Sequence, residues 1–153
     1  MKMKKLLMAL LLMSVIAISV SAVAAEQAQI GQNTFDVPDG YTIVQTEDNM
    51  IMMQIDENNA VTVTIDIPDD DIESSKQTIL DQGYELVNES TVQYADKDIN
   101  VQGFTKDDIT SYNYIVLSDD GNYVVGVVSN DPNFDGDLES GSNPAATIFD
   151  TWA

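Results

Sequence analysis

In the segment from Ala60 to Ile67, AVTVTIDI, apolar and polar side chains alternate without a break from Val61 onward. Successive side chains of a strand point to opposite faces, so Val61, Val63, Ile65 and Ile67 share one face and Thr62, Thr64 and Asp66 the other. A chain carrying this segment must build a sheet with a buried face, and the rest of the fold is constrained to cover it. Strand signals precede it. Thr34 to Val37 ends at the turn Pro38-Asp39-Gly40, and Tyr41 to Glu47 turns at Glu47-Asp48-Asn49. Met50 to Asp56 then alternates, with Ile51, Met53 and Ile55 on one side, up to a turn at Asn58-Asn59.

Pro68-Asp69-Asp70-Asp71 closes the central strand and opens a helix expected over residues 71–82, with Asp70 as cap and Glu73 three residues on. Ile72, Ile79 and Leu80 recur at helical spacing, and Gly83 stops the helix. Tyr84 to Tyr94 reads as one long strand or a bent pair, turning at Asp96-Lys97-Asp98. Ile99 to Thr105 and Ile109 to Ser118 follow, with Gly103 as a bulge or a point of close packing. After the hairpin signal Asp119-Asp120-Gly121-Asn122, the run YVVGVVS from Tyr123 to Ser129 is apolar on both faces, as a central strand covered on both sides would be. A last helix is expected over residues 144–152, capped by Asn143, started by Pro144 and carrying Ala145, Ile148, Phe149 and Trp152 on its inner face. Short turns between consecutive strands require antiparallel pairing. The expected class is therefore α+β, a mostly antiparallel sheet of about six to seven strands with two packing helices.

Charge narrows the function. The chain has 26 Asp and Glu against 6 Lys, with no Arg, His or Cys. That excludes a Ser-His-Asp triad, His or Cys metal sites, haem ligation and disulfides. A formal charge of −20 argues against nucleic acid and anionic membranes as partners. Lys2, Lys4 and Lys5, the apolar run Leu6 to Val20 and the small residues Ala22-Val23-Ala24-Ala25 read as a signal peptide over residues 1–25. The expected organisation is that leader, a flexible lead-in over 26–33 and a single α+β domain over 34–153, exported to the extracellular space or cell surface. The rival reading retains residues 1–25 as a membrane anchor, and membrane contact is expected only in that case. Without the leader, 26 acids face three lysines (Lys76, Lys97, Lys106), a formal charge of −23. The acids are spread along the chain, which suits a solvated surface; the sharper alternative is that a cluster of them binds cations or a basic partner.

Several features together resemble a known pattern: Phe35-Asp36-Val37-Pro38-Asp39-Gly40-Tyr41, three strands before the first helix, Gly83-Tyr84-Glu85-Leu86, Gly121-Asn122-Tyr123-Val124-Val125-Gly126 and a closing amphipathic helix. Residues 34–153 resemble small exported proteins of methanogenic archaea and, more distantly, the PsbP/Mog1-like α/β/α sandwich. The resemblance implies that fold and an extracytoplasmic location, and it carries over no catalytic residue. A cystatin-like helix on a curved sheet is the alternative fold.

One segment has ligand spacing. Asp131, Asn133 and Asp135 stand at positions 1, 3 and 5 of the D-x-[DN]-x-[DN]-G calcium loop, and Gly136 at its turn. Asp137 would offer its carbonyl and Glu139 its carboxylate. Ser142 occupies position 12 in place of the bidentate Glu, and a strand precedes the loop where an EF-hand has a helix, so the expected calcium affinity is only about 10⁻⁴–10⁻³ M. Paired carboxylates for glycoside hydrolysis and the Ser74-Ser75-Lys76 group are weaker candidates. Tyr84, Tyr94, Tyr112, Tyr114 and Tyr123 suggest cross-strand packing or a ligand surface, and Met50, Met52 and Met53 suggest core filling. The expectation for the whole is a non-enzymatic binding or interaction module for an unknown protein or cell-surface partner, with no certain cofactor. The alternatives are a calcium-dependent surface module using the Asp131–Glu139 loop and a small carboxylate hydrolase.

Overall fold

The computed structural model describes residues 27–153. The expected leader, residues 1–25, lies outside the described residues. The elements are β1 (Gln27–Ile30), β2 (Asn33–Asp36), β3 (Thr42–Glu47), β4 (Met50–Asp56), β5 (Asn59–Ile65), α1 (Asp69–Asp81), β6 (Glu85–Tyr94), β7 (Lys97–Lys106), β8 (Ile109–Val116), β9 (Tyr123–Ser129) and α2 (Pro144–Thr151). Strands β3 to β9 form a seven-stranded sheet in the order β3-β4-β5-β9-β8-β7-β6, and β1 pairs with β2 in a separate hairpin. Every pairing is antiparallel. The class is α+β, as the alternation and turn spacing require.

The chain's route explains the strand order. It leaves β5 through α1, restarts at the far edge with β6, and walks back through β7 and β8 until β9 pairs with β5. The centre of the sheet is therefore β5 and β9, both rich in β-branched residues. Both are covered on both faces. Val61, Val63, Val125 and Val127 pack in one core with α2 and the β1–β2 hairpin. On the opposite face Ala60 and Val128 pack with Ile72 and Ile79 of α1. The expectation of a half-buried β5 is corrected accordingly: Thr62 and Thr64 are also buried, because α1 lies over their face. Ile67 does not continue the Val61-Val63-Ile65 face. Asp66 takes a left-handed backbone (φ 57), and Ile67 joins the core beneath α1.

Helix α1 begins at Asp69, two residues earlier than expected, and its cap is Pro68, which contributes no side-chain hydrogen bond. Asp70 thus stands inside the first turn with Asp69 and Asp71, where negative charge complements the helix N-terminus. At the other end Lys106 Nζ reaches across from β7 and donates to the Gln82 carbonyl at 2.8 Å. Helix α2 runs 144–151 and starts as its sequence demands: Asn143 Oδ1 accepts from the Ala145 N–H, and Pro144 follows the cap.

The lead-in reading of residues 26–33 needs correction. Residues 27–30 form β1, and Ala28 and Ile30 are buried in the α2-side core. The hairpin is fixed by the far end of the chain. Thr34 and Ala153 exchange backbone hydrogen bonds at 3.0 Å in both directions, and Trp152 stacks between Phe35 (centroids 6.0 Å) and Tyr123 (4.2 Å). Among the described residues no helix is long and apolar enough to cross a membrane.

Candidate functional site

The acidic loop between β9 and α2 lies on the α2 side of the sheet, and its seat begins with a missing side chain. In the β7–β8 register Gly103 is directly opposite Tyr112. A Cβ on Gly103 would stand 2.6 Å from Tyr112 Cζ, so only glycine lets the ring lie across the strand. Gly136 of the loop touches the same ring; a Cβ there would overlap it, and its backbone is left-handed at φ +79°. Phe134 meets the Tyr112 ring edge-on at 5.6 Å. Two residues further along β8, the buried Tyr114 hydroxyl donates to the Gly136 carbonyl at 2.6 Å and accepts from Asn143 Nδ2 at 2.9 Å. Asn143 Nδ2 also donates to the Asp137 carbonyl at 3.3 Å. The residue that caps α2 therefore also holds the loop, and Leu138, 5% exposed, inserts into the core behind it.

Held this way, the loop turns by its own acids. Asp131 Oδ1 accepts from the Asn133 N–H, Asp135 Oδ1 from Asp137 and Asp137 Oδ1 from Glu139, at 2.9, 3.0 and 2.9 Å. These are Asx turns, the local bonding that short carboxylates favour. Calcium needs six to eight oxygens converging on one point. Asp131, Asn133, Asp135, Asp137 and Glu139 lie in series instead, and the Asp137 carbonyl expected at position 7 faces Asn143. Among the described residues no three acids are grouped at metal-holding distance.

What the loop does form is one wall of a groove of about 320 Å³. Asp135, Asp137 and Glu139 line that wall, and Asn88, Ser90 and Val92 of β6 line the other. Val101 and Leu138 supply apolar surface between them. A fourth carboxylate stands at the margin, where Asp150 accepts from the Tyr94 hydroxyl at 3.1 Å. Among the described residues no lysine lines the groove. The three lysines among the described residues are engaged elsewhere: Lys76 pairs with Glu89 at 2.6 Å, Lys106 serves the end of α1, and Lys97 donates to the Ala95 carbonyl. A second depression, of about 520 Å³, lies beside α1, where Glu73 and Glu89 stand over Gln102 and Ile115.

The other candidates from sequence resolve as structure. Tyr112, Tyr114 and Tyr123 are buried core residues, so these three form no ligand surface. Tyr84 packs against the other core, below Lys106. Met50 and Met52 pack under α1, while Met53 faces the α2 side. Ser75 Oγ is buried and donates to the Ile72 carbonyl, and Lys76 is held by Glu89, so neither side chain activates the other. Sequence reading named Gly103 as a bulge or close-packing point and Tyr112 for cross-strand packing, but it did not join the two or single out the β6 wall. The Gly103–Tyr112 pairing carries the signal, but it needs the strand register to be seen.

Burial also sets the alkaline behaviour. Burial, with Asp56 adding to it, pushes the Tyr41 hydroxyl up to about 12, and burial raises Tyr114 and Tyr123 as well. Protonated tyrosine is the neutral form, so the folded state holds these protons more tightly than the unfolded state does. Their contribution to stability is whole below about pH 10, the unfolded value, and is lost as the pH rises toward the folded values. A titration followed by tyrosinate absorbance should show these three hydroxyls ionising together with unfolding. Reversible ionisation with the fold intact would contradict this.

No family model matches the sequence, and no curated protein is similar to it. Solved structures do share its architecture. The solution structure of cyanobacterial PsbP (CyanoP) from Synechocystis sp. PCC 6803 matches with a TM-score of 0.57 at 12% identity, over 88% of this chain and 96% of that one. A crystal structure from Bacteroides thetaiotaomicron VPI-5482 matches with a TM-score of 0.50 at 10% identity, over 86% of this chain and 48% of the other, about half its length. The fold is PsbP-like, an antiparallel sheet with α1 on one face and α2 with its hairpin on the other. At these identities the likeness is one of fold alone.

Proposed function

We propose that this protein is a non-enzymatic, exported binding module, and that the groove between β6 and the acidic loop takes a cationic segment of a protein partner at the cell surface. One observation carries the reading. Asp135, Asp137 and Glu139 are fixed on one wall of a partly apolar groove that no lysine among the described residues lines. Carboxylates held on a rigid loop lose little freedom when a cation arrives, and the unbalanced charge steers a basic partner toward the site. A tightly seated loop beside a sheet favours binding over chemistry, since Ser75 and Lys76 are engaged structurally and the loop acids serve as turns.

The test uses the heptapeptide Lys-Thr-Lys-Thr-Lys-Thr-Lys and the triple variant Asp135→Asn, Asp137→Asn, Glu139→Gln. Asparagine keeps the Oδ1 that caps each turn, so the loop stays folded while its charge goes. The variant should bind the peptide at least about tenfold more weakly. A control that removes the same charge from α1, Asp70→Asn, Asp71→Asn, Glu73→Gln, should change binding by less than about threefold. Equal losses in both variants would mean that diffuse charge alone attracts the peptide, and the groove reading would fall.

A further inference from the structure

We propose that the outer edge of β6, from Asn88 to Tyr94, receives an extended segment of the cationic partner as an added strand, with that segment's lysines or arginines at alternate positions over the acidic wall. This deepens the groove reading and rests on it. The seven-stranded sheet ends at β6, and among the described residues no backbone hydrogen bond outside the sheets reaches residues 88–94. Such an edge presents unpaired N–H and C=O groups, and native proteins blunt it with brevity, bulges, proline or charged side chains, lysine above all. The opposite edge, β3, follows that rule: it is six residues long and bulged between Ile43 and Gln45. β6 does not. It is ten residues long, contains neither Lys nor Pro, carries as charges only Glu85 at its start and Glu89, which Lys76 meets, and has its only irregularity at the start, between Leu86 and Asn88. From Asn88↔Gly103 to Tyr94↔Lys97 its pairing is regular, and Glu89 to Gln93 are exposed one after another. An added strand needs a regular edge of this kind.

Charge selects the occupant. Asn88, Ser90 and Val92 face the groove, so every second side chain of an added strand would lie over the same face, toward Asp135, Asp137 and Glu139. The intervening side chains would fall on the other face, beside Glu89, whose charge Lys76 already meets at 2.6 Å. The matching segment is therefore cationic at alternate positions and uncharged between them. A second copy of this chain does not match, because at −20 each it would bring Glu85 and Glu89 against their like.

The test compares the heptapeptide Lys-Thr-Lys-Thr-Lys-Thr-Lys with the same peptide N-methylated at every backbone amide, which keeps its charge and removes its N–H donors. The parent should bind at least about tenfold more tightly, and it alone should slow amide exchange over residues 88–94. If both peptides bind equally, the groove holds cations but β6 accepts no strand, and this inference falls while the proposed function stands. If neither binds, both fall. If the protein proves to pair with itself through residues 88–94, the occupant is a second copy and the inference is overturned.

Discussion

Replacing Gly136 by alanine should lower stability by about 2–5 kcal/mol, combining the left-handed backbone of an L-residue, about 1–2, with overpacking against a fixed ring, about 1–3. The ring is Tyr112, which a Cβ at position 136 would overlap and which cannot retreat, because Gly103 lies against it as well. Gly141 is the internal control. Its φ of +82° is nearly that of Gly136 at +79°, but a Cβ there would meet nothing within 4 Å. Gly141→Ala should thus cost only the backbone term of about 1–2 kcal/mol. Urea unfolding of both variants measures the difference. Equal costs would show that the loop is not seated on Tyr112 and would remove the rigid wall from the account.

Phe149→Ala should be at least as damaging, by about 3–5 kcal/mol, the usual cost of emptying an aromatic site in a core. Phe149 is 1% exposed, meets Tyr114 edge-on at 6.3 Å and packs on Tyr123 at 6.1 Å. At eight residues α2 is too short to be helical alone, so this docking is what forms it. Its loss should also loosen Trp152 from Phe35 and Tyr123, and with it the β1–β2 hairpin that Ala153 pairs to. The emission of Trp152, the only tryptophan, should shift to the red before the sheet unfolds. A cost near 1 kcal/mol, below the usual range for a core aromatic, would mean that the hairpin and helix are held by something else.

The parts of the fold readable from sequence are those decided locally. β5 announces itself by period, β9 by continuous apolar residues, and the start of α2 by Asn143-Pro144. What escaped depends on distant residues. Nothing in Ala28 or Ile30 says strand until Phe35 and the C-terminal Ala153 are in place to pair and cover them. The start of α1 is ambiguous because Asp69, Asp70 and Asp71 suit a cap and a first turn equally. The reversal at Ile67 hangs on one left-handed aspartate that no pattern reveals. The site divides the same way. The acids of 131–139 and Gly136 stood out by spacing, but the purpose of Gly136 is its fit to Tyr112, which only the β7–β8 register brings within reach. The opposite wall, β6, gains its meaning from being last in the sheet, a property of strand order.

The most direct measurement is an amide chemical-shift map of the protein titrated with Lys-Thr-Lys-Thr-Lys-Thr-Lys at low ionic strength. The account predicts shifts concentrated at residues 88–94 and 134–139, on the two walls of the groove, with the first turn of α1 at residues 69–73 unmoved. Shifts spread over all the acidic turns, or centred on α1, would contradict it.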